Sequence, residues 1–147
     1  MSDKKLSNQL ESSLEDVFKK LPPLPANATE TLFKITPWIA LIFGVLGVLL
    51  SISALSALSF LAPIAAVGGV AQNIGLGMIA TVGWLISSAI MIMAYPGLKA
   101  GKMSGWTLLF WAEVVSAATS IIGINIGSVI GAAIGFYLIF QIKSKYK

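Results

Sequence analysis

From Ile35 to Leu98 the chain carries no charged side chain, and from Met103 to Ile142 it carries one, Glu113. Nothing else restricts the fold so tightly. A backbone polar group left unpaired in hydrocarbon costs several kcal/mol, so apolar stretches this long are read as membrane-crossing helices. Each run is long enough for two crossings of a ~30 Å hydrocarbon core.

Composition supports the bilayer as solvent. Charged residues make up 11% of the chain and hydrophobic ones 56%, with a mean hydropathy of +0.88. Soluble domains carry about 25% charged residues, and a single domain of 147 residues could not hide this much apolar surface. The net charge of +4 comes with ten basic residues, all of them Lys. They flank the apolar runs, as cytoplasmic loops do, and do not form a nucleic-acid footprint. The chain has no Cys and no His. This removes disulfides, thiol and imidazole chemistry and the common zinc and haem ligand sets, so neither metal nor cofactor is expected. No nucleophile–base pair can be assembled, and an enzyme is not expected.

Residues 3–21 place Leu6, Leu10, Leu14, Val17, Phe18 and Leu21 on one stripe at helical spacing. Glu15–Lys19 and Asp16–Lys20 are i,i+4 pairs in the favourable order. The spacing predicts an amphipathic cytoplasmic helix, packed on its own bundle or on a neighbouring subunit. Docking on the membrane surface is the weaker reading, because the first 30 residues carry four Lys against five acids, whereas interfacial anchors are basic. Residues 21–30, with Pro22, Pro23 and Pro25, are read as a stiff linker that completes a cytoplasmic segment over 1–36. The membrane domain, 37–147, is predicted to hold spans over 38–61, 73–95, 105–122 and 125–142. Pro37 suits a first helical turn, residues 59–72 an interfacial loop, and Tyr95-Pro96-Gly97 a turn closing the second span. The first run begins after about 35 polar or mixed residues and is read as an uncleaved anchor.

The lysines fix a predicted orientation. Lys4, Lys5, Lys19, Lys20 and Lys34 precede span one, Lys99 and Lys102 follow span two, and Lys143, Lys145 and Lys147 follow span four. Both termini and the middle loop are therefore expected on the cytoplasmic side of a plasma membrane, bacterial or archaeal, as two in–out–in hairpins. Each hairpin opens with a tryptophan, Trp38 or Trp106, a likeness compatible with duplication. Small residues mark expected helix-packing ridges: Gly44, Gly47 and Ser51 on the first span, and Gly127, Gly131 and Gly135 on the fourth.

Glu113 shares its helical face with Trp106, Leu109, Phe110, Ser116, Ala117 and Ser120, a polar strip that should point into the bundle. Counting from the cytoplasmic end puts it about 12 Å deep, level with Ser87 and Ser88 of the second span and Gly135 of the fourth. No cation reaches that depth, so the acid is expected to stay protonated where water is excluded. Two roles follow. In the first, Glu113 is an interhelical hydrogen-bond clamp, with Ser87 as the expected partner. The protein is then a structural or accessory subunit that packs with other membrane proteins, or with itself, through its Gly/Ser faces. In the second, Glu113 is the protonatable site of a small proton-coupled transporter or channel, with Ser87, Ser88, Ser116 and Ser120 along its path.

Overall fold

The computed structural model describes residues 2–69, 71–122 and 126–147, and over them the chain is helical with no strand. Its helices are α1 (Ser2–Phe18), α2 (Ala26–Val67), α3 (Ala71–Lys99), α4 (Met103–Ile122) and α5 (Ile126–Ile142), closed by a 3₁₀ turn over Lys143–Lys145. Four of them, α2 to α5, are long and apolar enough to cross a membrane. Large apolar side chains such as Ile42, Leu49, Ile79 and Ile86 stand exposed around them. An exposed apolar belt of this extent is compatible with a lipid environment.

The first helix ends at Phe18 rather than near residue 21, and the three largest differences from the sequence reading each involve a proline. The helix containing Pro37 does not start there but runs for 42 residues from Ala26, with Pro37 and Pro63 inside it. Its early turns hold because Leu32 and Phe33 pack on the core. This offsets the roughly 3 kcal/mol that an interior proline costs. The linker is accordingly shorter, ending at Pro25, whose carbonyl accepts from the Thr29 N–H at 3.0 Å. At its other end α2 absorbs most of the expected 59–72 loop and stops at Gly68-Gly69, where Gly69 takes a φ of +73° that suits glycine alone. Likewise α3 passes through Pro96 to Lys99, and the turn falls at Gly101, with φ +66°. Gly97 lies directly against Gly105 of α4, so that a methyl group on Gly97 would stand 2.7 Å from the Gly105 Cα. That backbone contact keeps the last turn of α3 helical past its proline.

α2 packs on α3 along Ala40, Gly44, Gly47 and Ser51, all buried. A methyl group on Gly44 would sit 2.7 Å from Ile92 Cγ1 and 3.0 Å from the Ser88 carbonyl, an approach only a missing side chain allows. α3 packs on α4 through the Gly97–Gly105 contact and through Gly83, which faces Thr119. α5 rests on α4 through Ala132, Phe136, Ile139 and Ile142. The glycine ridge of α5 does not follow this stripe. A four-residue repeat advances about 40° per step around a helix of 3.6 residues per turn. Gly135 therefore meets α4, while Gly131 and Gly127 wind away and remain exposed, with nothing within 4 Å of a methyl placed on Gly131.

The lysine-bearing segments gather at one end of the bundle, which is also the better packed. Phe18 of α1 stacks on Phe140 and lies against Phe136, with ring centroids 5.8 and 6.0 Å apart. Lys143 pairs with Glu15 and, at 2.8 Å, with Glu11. The Tyr137 hydroxyl donates to the Pro22 carbonyl at 2.7 Å. The backbone of Lys147 pairs with Gly101 and Met103 at 3.0 and 2.8 Å. Trp106 is fully buried and donates its indole N–H to the Ile139 carbonyl at 2.8 Å, while Trp38 is 51% exposed under Lys99. The two tryptophans that open the hairpins thus occupy unlike environments. Of the apolar stripe, Leu14 and Phe18 pack on the core; Leu6, Leu10 and Val17 stay exposed on α1, as does Leu21 beyond its end.

Candidate functional site

Glu113 stands ten residues past Met103 in a 20-residue helix, halfway along α4. Its carboxyl lies flat against Gly135 of α5, where a methyl group would come within 2.7 Å of the Glu113 Cδ. Among the described residues it makes no hydrogen bond and no ion pair. The expected Ser87–Glu113 bond is absent. Ser87 Oγ donates instead to the Ala112 carbonyl at 2.7 Å, and Ser88 Oγ to the Trp84 carbonyl of its own helix at 2.8 Å. The reason is local. A hydroxyl in an apolar helix finds a main-chain carbonyl within reach at little cost in side-chain order, whereas a distant carboxyl must be brought to it. An interhelical clamp therefore exists, but it joins Ser87 to the backbone one residue before the acid.

Three cavities follow one another along α4, and Glu113 belongs to two of them. Toward the lysine end a cavity of about 150 Å³ lies between α2 and α5, with walls that include Leu32, Ala40, Leu109, Leu138 and Ile142. On the other side of the acid, a cavity of about 360 Å³ is lined by Phe43, Leu50, Trp84, Ser87, Ser88 and Ser116 with Glu113. Beyond it, sharing Trp84 and Ser116, comes a third of about 550 Å³ with Thr81, Thr119, Ser120 and Ser128. The series forms a cleft. α2 and α5 converge at the lysine end, α3 and α4 make the floor, and the far half of α5 stands off. The structure thus sets Ser87, Ser88 and Ser116 around the same cavity as Glu113, and Ser120 in the next.

The cleft changes character at the acid. Toward the lysine end its wall is apolar apart from Thr36, and toward the far end it is rich in hydroxyls. Thr81 donates to the Gly77 carbonyl at 2.7 Å, Ser120 to the Ser116 carbonyl at 2.8 Å and Thr119 to the same carbonyl at 2.9 Å. With each proton committed to the helix, these oxygens offer only lone pairs to the cleft. Thr81, Trp84 and Thr119 escaped the sequence reading, although antiparallel counting from the Ser87–Glu113 level pairs Trp84 with Ser116 and Thr81 with Thr119. Among the described residues no group of three His, Cys, Asp or Glu could hold a metal ion. Comparison with known protein families, with characterised proteins and with solved structures finds no match to this chain.

Proposed function

We propose that this chain is a small integral membrane protein in which Glu113 takes up and releases a proton at the base of the cleft, as the coupling site of a carrier or channel. The observation that carries the reading is the setting of its carboxyl, between two cavities, with neither a cation nor a hydrogen-bond donor committed to it. A structural clamp would show such a partner. Neutral, the carboxyl can lie against the backbone at Gly135. Ionised, it needs water or a cation, and the hydroxyl-lined side of the cleft is where either would enter. Its charge state is thereby coupled to how closely α5 rests on α4.

Infrared spectra of the purified protein across its stable pH range, with Glu113→Gln subtracted, isolate the carboxyl C=O stretch. A band that rises and falls with pH marks a site in exchange with water. A band that stays constant overturns the proposal.

A second reading, an accessory subunit, draws on the uncovered far half of α5, where Gly127 and Gly131 face outward. There Gly131→Leu should leave the stability of the isolated chain unchanged and disrupt any larger assembly seen in native gels.

A further inference from the structure

We propose that the cavity between Glu113, Trp84 and Phe43 binds a lipophilic organic cation, which displaces the Glu113 proton. This rests on the reading of Glu113 as an exchange site and adds what exchanges with the proton. The cavity opens sideways, since Phe43 and Trp84 are 62% and 42% exposed while they line it. In a bilayer that opening faces hydrocarbon, so a ligand that partitions into lipid can enter directly. A volume of about 360 Å³ falls within the range of about 300–1,000 Å³ typical of small-molecule sites.

The sign of the ligand follows from the groups that meet it. Ser88 has its proton bound to the Trp84 carbonyl and Ser87 its proton bound to the Ala112 carbonyl, so both present oxygen lone pairs. The indole and phenyl faces of Trp84 and Phe43 are themselves electron-rich. Glu113 supplies the one carboxylate, and no other titratable or charged side chain faces it from α2, α3 or α5 in either adjoining cavity. An anion would find only the Trp84 indole N–H and the Ser116 hydroxyl as donors, and would have to sit beside the Glu113 carboxylate. A small inorganic cation would exchange its hydration shell for one carboxylate and a few hydroxyls, short of the six to eight oxygens that calcium takes. A bulky cation that is weakly hydrated to begin with loses little on leaving water and gains the apolar walls. The exchange balances: the neutral acid and the cation give a carboxylate–cation pair and one free proton.

Tetraphenylphosphonium and tetraphenylborate test this directly, because they share a shape and differ in the sign of their charge. Equilibrium dialysis of the detergent-solubilised protein should show binding of the phosphonium and none of the borate. Affinity for the phosphonium should rise about tenfold per pH unit while Glu113 starts out protonated. One proton per bound cation should appear in weakly buffered solution. Glu113→Gln should lower the affinity by at least about tenfold, Glu113→Asp should retain most of it, and Trp84→Leu should weaken it about threefold. Equal binding of the two ions would identify an apolar groove without charge selection and overturn the proposal. So would unchanged phosphonium binding by a monodisperse Glu113→Gln protein, or no binding of either ion by wild type. In that last case a pH-dependent Glu113 carboxyl band would leave the exchange site standing and remove only its cationic ligand.

Discussion

At the scale of single residues, the hydrogen bonds described between the apolar helices run from a side chain to a backbone carbonyl. Ser87 bridges α3 to the Ala112 carbonyl of α4. Interhelical bonds of this kind are worth about 0.6 kcal/mol on average and about 1.7 at most. Ser87→Ala should therefore lower thermal stability in detergent by about that amount while leaving the Glu113 carboxyl band intact. The two effects separate the clamp from the acid. Gly135 carries the opposite prediction. A side chain there must displace the Glu113 carboxyl, so Gly135→Val should lift α5 from α4. Faster hydrogen exchange over 132–139, with α2 and α3 unaffected, would show it.

At the scale of elements, the proline positions and the lysine-end latch decide most. α1 is attached through Glu11 and Glu15 to Lys143 and through Phe18 to the Phe136–Phe140 pair. The hydrogen bond to Lys143, and after it the one to Lys19, hold the Glu15 carboxyl below its ordinary value near 4.5. A depressed carboxylate contributes stability that is present above the unfolded value and is lost as pH falls through the folded one. Attachment of α1 should thus be constant at neutral pH and weaken on the acid side of 4.5, measured as amide exchange or protease cleavage within α1. Lys143→Gln should produce the same loosening at neutral pH. The contact between Gly97 and Gly105 has no such dependence. Gly105→Leu has no room against the α3 backbone, and the folded, monodisperse fraction recovered in detergent should fall sharply.

At the scale of the whole molecule, the bundle is asymmetric from end to end. The lysine end is closed by α1, by the 3₁₀ turn and by the backbone pairing of Lys147 with the α3–α4 turn, while the far end splays into the cleft. The absence of cysteine makes the topology directly testable. In intact cells, Val67→Cys at the far end should react with an impermeant thiol reagent, and Lys102→Cys should react only after lysis. The reverse pattern would invert the orientation expected from the lysines. Within the cleft, Thr119→Cys should be modified by a water-soluble reagent and Leu109→Cys should not.

The sequence by itself determined the number of long apolar helices, the grouping of the lysines and the singling out of Glu113. These depend on hydropathy and charge, which are properties of residues one at a time. Depth counting even brought Ser87, Ser88 and Gly135 to the level of the acid, because helix rise is constant and the helices run antiparallel. Only the tertiary structure decided the rest. Whether Pro37 and Pro96 end a helix or lie within one depends on what packs beside them, Phe33 on the core in one case and Gly105 in the other. Which glycines of α5 pack depends on a rotation of about 40° per repeat set against the stripe of Phe136 and Ile139. The partner of Ser87 depends on a carbonyl that no side-chain pattern advertises. The cleft itself arises where α2 and α5 part, and such a gap is a property of the packing with no signature in any single helix.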